Sequence, residues 1–193
     1  MSSEIDRRIG NGGKLPALIA VLAILVSAAG AYVWYRSSDA TGPSGPPVRI
    51  PVRFDEPLAV TLDVPREAAL FPQTTSVKRQ PDTQSQAREV LAALLADPRA
   101  AQSPVLAGVR LRAFYLDSDG TAVVDLIPLS PGGVKASAGD ELVGLYAIVD
   151  TLSGNFEEVK RVRFLLDGRE AQTLAGHMDL ARIFTKRPDL VRQ

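Results

Sequence analysis

Residues 15–35 read LPALIAVLAILVSAAGAYVWY, an apolar run without a single charged side chain. At about 1.5 Å per residue, a helix of this length spans roughly 31 Å, which matches the hydrocarbon core of a bilayer. Tyr32, Trp34 and Tyr35 fall at its C-terminal end, where amphipathic rings favour the membrane interface. Arg7, Arg8 and Lys14 precede the run, whereas Arg36 after it is answered by Asp39. Basic residues stay on the cytoplasmic side, so the pattern predicts a single-pass signal-anchor with residues 1–14 in the cytoplasm and everything after about residue 36 outside. A cleaved signal peptide is the rival reading. Its small-x-small site, Ala29-Gly30-Ala31, lies inside the apolar stretch, and the run exceeds an ordinary signal-peptide core. A buried core helix would show a polar face, and none exists here.

Composition removes several kinds of chemistry. The 193 residues hold 22 Lys+Arg and 22 Asp+Glu, so bulk charge gives no reason to expect a nucleic-acid partner. No cysteine is present, which excludes disulfides, thiolate zinc sites, a cysteine nucleophile and a lipidated cysteine. The one histidine, His177, excludes any site that needs two imidazoles.

Beyond the apolar run, residues 36–53 are rich in Gly, Pro and Ser and read as a linker. Residues 54–184 have the pattern of one globular domain, and 185–193 form a basic tail. Val60, Leu62 and Val64 alternate with polar residues, as a strand does. A second short strand is expected at Thr75–Arg79, with Pro72 marking an edge or a break. Asp82 or Thr83 caps a helix whose apolar face is Ala87, Val90, Leu91, Leu94 and Leu95, ended by Asp97-Pro98. Val109–Leu116 and Thr121–Leu126 flank Asp117-Ser118-Asp119-Gly120 as a hairpin. Ser137, with Asp140 three residues on, caps a second helix carrying Leu142, Leu145, Tyr146, Val149 and Leu152. Val159–Leu166 is expected to turn at Asp167-Gly168 and return along Arg169–Leu174. The order β(β)–α–ββ–α–ββ predicts an α+β two-layer sandwich, a mostly antiparallel sheet with two helices on one face.

Tests for catalytic chemistry give little. No phosphate-binding loop follows Gly132-Gly133. The loop starting at Asp117 has Pro128 where a calcium loop needs its twelfth-position Glu. His177 and Asp179 in Gly176-His177-Met178-Asp179-Leu180 invite a catalytic reading, but no serine sits in a Gly-x-Ser-x-Gly elbow. They are expected to shape a turn, and Asp125 to serve the hairpin. Lys160, Arg161 and Arg163 follow Glu157-Glu158 as a charged strand face, with a basic stripe as the functional alternative. With Tyr115 and Phe114 they form the candidate interaction surface. No catalytic, metal-binding or cofactor-binding residue is expected.

Three segments, Ala147-Ile148-Val149-Asp150-Thr151-Leu152, Val159–Gly168 and Leu174-Ala175-Gly176-His177-Met178-Asp179-Leu180, resemble the C-terminal half of a GerMN domain, the sporulation and spore germination domain. Asp119–Leu126 is similar to that family's central hairpin and Ala87–Leu95 to its first helix, so the resemblance covers about residues 57–182. It implies an α+β domain of the kind found in ring-building envelope machinery, held outside the bacterial cytoplasmic (inner) membrane, with no enzymatic activity and no cofactor. The Bacillus protein that names the family carries two copies and a lipid-attachment cysteine. This chain shows one copy, and the run 15–35 stands in for the lipid. The partners so implied are envelope proteins or a second copy of the chain. Peptidoglycan or another glycan is the alternative ligand, and a hydrolase the remaining one.

Overall fold

The computed structural model describes residues 56–192 and, ahead of them, Tyr32 alone. The expected membrane segment 15–35 and linker 36–53 lie outside the described residues. Among the described residues no helix is long and apolar enough to cross a membrane.

The domain is α+β, with two sheets and three helices. Strand β1 (Leu58–Arg66) and strand β2 (Ala69–Val77) form an antiparallel hairpin sheet of their own. Helix α1 (Thr83–Ala96) follows, with the Asp82 side chain accepting the Ser85 N–H at its start. Its buried residues include Ala87, Val90, Leu91 and Leu94, the face expected from their spacing. A short helix α2 (Pro104–Ala107) leads into strands β3 (Val109–Leu116) and β4 (Thr121–Pro128). The turn between them forms at Asp117–Gly120, where Gly120 takes φ 85° and the Thr121 N–H donates to the side chains of Asp117 and Asp119. Helix α3 (Ala138–Asn155) begins with a complete capping box between Ser137 and Asp140 and leads to strand β5 (Arg161–Leu166).

Three expectations are corrected. The first is the single, mostly antiparallel sheet. The strands divide into β1–β2 and β3–β4–β5, and β5 runs parallel to β4. The physical reason is the 18-residue helix α3 between them, since a strand that returns beside its predecessor after a helical crossover runs parallel to it. The second is the returning strand 169–174. The Asp167-Gly168 turn exists, with φ 51° and 76°, but only the Leu166–Arg169 bridge closes it. Asp125 Oδ1 takes the Gly168 N–H at 2.9 Å, and the chain then departs towards α3. The outer edge of β5 is filled by Phe184, which exchanges two hydrogen bonds with Val162. The third concerns the length of β2, which begins at Ala69 and runs through Pro72 rather than starting at Thr75; of the two readings of Pro72, the edge strand holds and the break does not.

The core lies where the helices meet both sheets. Phe114, Val124, Leu126, Val162 and Phe164 form the inner face of the larger sheet. Helix α3 departs from a one-faced amphipathic pattern, because every residue from Val143 to Leu152 is buried. Fully burying Leu145, Ile148 and Leu152 contributes about 1.5–3 kcal/mol each. At Gly144 a Cβ would lie 2.5 Å from Val105 Cβ, so α2 and α3 touch at a spot only glycine leaves open.

Open sheet edges are closed by side chains. Asn155 Oδ1 accepts the Thr61 N–H at 2.9 Å and Asn155 Nδ2 donates to Thr61 O at 2.6 Å, so the amide imitates a neighbouring strand on β1. Thr151 Oγ1 accepts the Asp63 N–H on the same edge. On β3, Arg88 donates to Phe114 O and Gln84 accepts the Leu116 N–H.

Candidate functional site

The larger sheet has one face in the core and one open. On β4, Ala122, Val124 and Leu126 point inward, so Val123, Asp125 and Ile127 point outward by the two-residue period. The register places Tyr115, Val123 and Arg163 in one row across β3, β4 and β5, and Ala113, Asp125 and Leu165 in the next. Tyr115 is 54% exposed, although it is large and apolar. Of the two aromatic residues expected on this surface, only Tyr115 is there. Phe114 is the next residue on the strand, points the other way and is fully buried.

Arginines frame the row, each with its own acidic partner. Arg163 Nη2 lies 2.6 Å from Glu170 Oε1, and Arg161 Nη2 lies 2.7 Å from Asp119 Oδ2. Lys160 precedes β5, and its main-chain N–H donates to Gly120 O. Asp125 is the buried member of the set. Arg112 Nη1 donates to its Oδ2 at 2.6 Å, and the Gly168 N–H donates to its other oxygen. It thereby ties the bulge at Arg112 to the turn after β5.

His177 and Asp179 lie in a separate place, on the loop after β5. Asp179 is exposed and its Oδ1 accepts the Ala181 N–H at 3.0 Å, a local turn. The His177 ring is half-exposed, with Nδ1 3.3 Å from Glu141 Oε2. Glu141 organises this loop. Its side chain is fully buried on α3, and it accepts the main-chain N–H groups of Leu174, Ala175, His177 and Met178 at 2.8–3.1 Å. Burial pushes its carboxyl up, but the four N–H donors outweigh that and hold it below the ordinary glutamate value. Glu141 belongs to no motif and was not among the expected site residues. Its signal was a lone acid in register with Leu145, Ile148 and Leu152 along the buried face of the helix.

Two further buried acids were also missed. Asp150 on α3 accepts the Arg187 N–H at 3.0 Å, fastening the C-terminal segment. Asp63 on β1 is desolvated, sits near Asp150, and is pushed up to about 6 despite the nearby Lys186. Asp125, Glu141 and Asp150 thus spend their carboxylates on backbone N–H groups, and among the described residues no cluster suited to a metal ion occurs.

The sequence that builds this fold matches a recognised family. The family model described as Germane, sporulation and spore germination, matches residues 59–172. The chain belongs to that family and carries a GerMN domain. The tandem GerMN domains of the sporulation protein GerM from Bacillus subtilis share the fold. They align with a TM-score of 0.51 at 18% identity, over 69% of this chain and 48% of that one. The first GerMN domain of the same protein aligns with a TM-score of 0.48 at 18% identity, over 68% of this chain and 99% of that one. A Clostridium perfringens protein described as a candidate lipoprotein gives 0.46 at 20% identity, over 69% and 89%. No curated protein matches the chain.

Proposed function

We propose that this chain is a non-enzymatic assembly module, which displays its GerMN domain outside the cytoplasmic membrane on an anchor formed by residues 15–35. The observation that carries this reading is the row Tyr115–Val123–Arg163 on the open face of the three-stranded sheet. An exposed tyrosine bordered by arginines has the composition of an interface centre, where Tyr and Arg are enriched. The family membership supports the reading, as does the use of buried carboxylates as internal fasteners. The apolar run and its basic N-terminal flank support the anchor. The partner is an envelope protein or a second copy of the chain.

A photoreactive benzoylphenylalanine in place of Tyr115, in the full chain expressed in membranes, tests the proposal. The expected result is a crosslinked product of defined mass, lost when the photoreactive group is moved to exposed Lys135 in the loop before α3. Recovery of monomer alone after irradiation overturns it. A product that forms only with isolated peptidoglycan also overturns it, in favour of wall binding.

A further inference from the structure

The turn between β1 and β2 is built from residues that usually avoid its conformation. Glu67 takes φ 51° and Ala68 takes φ 60°, where tight hairpins normally carry Asn or Gly. Such backbone persists only where the surrounding structure holds it, and it clusters at ligand clamps and switch regions. The turn sets Arg66 opposite Ala69 and stacks its guanidinium on Phe71, with the central carbon 4.1 Å from the ring centre.

Beside this stack is a cavity of about 170 Å³. Its apolar wall is Val64, Pro65 and Phe71, and its charged groups are Arg66 and Arg99, with no carboxylate in the lining. Arg99 is fixed in place: Nε and Nη2 donate to Asp97, and Nη1 donates to Gln73 Oε1 at 2.7 Å. Arg66 forms no ion pair among the described residues, so its planar fork keeps its donors for something else. A second cavity of about 300 Å³ shares Pro65, Arg66 and Gln102 with the first and is lined on its far side by Glu67 and Asp140. The cleft therefore changes from cationic to acidic along its length.

We propose that this cleft binds the C-terminal carboxylate of a short peptide with a small apolar last residue. The carboxylate meets the Arg66 fork and the fixed Arg99. The apolar side chain rests on Val64 and Phe71. The preceding amide N–H groups point towards the acidic end at Glu67. A planar guanidinium is suited to such a group, because it can donate two parallel hydrogen bonds to one carboxylate. This cleft is distinct from the open sheet face, so either proposal can fail alone.

The test is a titration of the full chain, held in mild detergent, with N-acetyl-alanyl-alanine followed by amide chemical shifts. Its C-terminal amide serves as the uncharged control. The expected result is saturable shifts confined to residues 64–73 and 99–103, with binding about tenfold weaker or worse for the amide and for R66Q. Arg110→Gln, elsewhere on the surface, leaves binding unchanged. Comparison of the L,L with the D,D peptide separates a protein C-terminus from a cell-wall stem peptide as the source of the same chemistry. Absence of shifts at millimolar peptide, equal binding of the amide, or equal binding by a folded R66Q overturns the proposal.

Discussion

Glu141 Oε2 accepts the main-chain N–H of His177 at 2.8 Å, and this bond joins the first turn of α3 to a loop 36 residues further on. With Leu174, Ala175 and Met178 donating to the same carboxylate, one side chain satisfies four backbone donors that have no strand to bond to. Glu141→Ala removes the acceptor and leaves those donors partly buried and unpaired. The expected loss is about 3–5 kcal/mol, as for one partner removed from a buried charged network. His177→Ala keeps the main-chain bond and loses only a half-exposed ring contact, so it should cost about 1 kcal/mol or less. Denaturant unfolding of the two variants measures the difference. Equal losses would transfer the anchoring role to the imidazole.

The buried acid on β1 gives a pH dependence of defined sign. Desolvation and the neighbouring Asp150 raise the Asp63 pKa from 3.8 to about 6, so the folded domain holds this proton more tightly than the unfolded chain. Stability from this group is therefore fully present below pH 3.8 and is lost as pH rises through about 6. Asp63→Asn should reduce that slope, leaving the part due to Asp150, whose carboxyl burial also pushes up, and stabilise the domain at pH 8 by about 1–3 kcal/mol relative to the parent. Melting curves taken from pH 4 to pH 8 test it, and a parallel slope in the variant would refute it. Glu141 acts in the opposite direction: its depressed pKa means its contribution fades only as pH falls below the ordinary glutamate range.

Asn155 predicts a third outcome. Its amide both donates to and accepts from Thr61 on the outer edge of β1, and it also donates to Thr151 O. Asn155→Ala exposes that edge and should cost about 1–3 kcal/mol. Asn155→Asp keeps the acceptor but places a carboxylate against Thr61 O, so it should not rescue the loss. Hydrogen exchange at the Thr61 amide gives a local readout, with protection expected to fall in Asn155→Ala, which removes its acceptor.

Local signals were legible in the sequence and pairwise ones were not. The helix starting after Asp82, the capping box at Ser137–Asp140 and the hairpin at Gly120 are written in neighbouring residues, and all are present. The Asp167-Gly168 turn is equally local and also forms, yet the strand expected after it does not. Its fate depends on Asp125, 43 positions away, taking the Gly168 N–H. Glu141, Asp150 and Asn155 were passed over for the same reason. Each looks like an ordinary polar position on a helix until its partner on a distant segment is known. The open sheet face was half legible: alternation puts Tyr115 and Phe114 on opposite sides of β3, but which side meets the helices is decided by packing.

The β1–β2 turn supplies the last prediction. Glu67 and Ala68 both occupy the left-handed region, which costs a residue with a Cβ roughly 1–2 kcal/mol. Asn and Gly tolerate it, so the double substitution E67N/A68G should stabilise the domain by about 1 kcal/mol, less than the summed strain because glycine also loosens the unfolded chain. Thermal unfolding of the full chain reads this directly. The hairpin register, Arg66 opposite Ala69, is set by the two-residue turn and should survive, so Arg66 should remain on Phe71. A destabilised double variant would show that Glu67 makes a compensating contact, and the strain would then be offset within the turn itself.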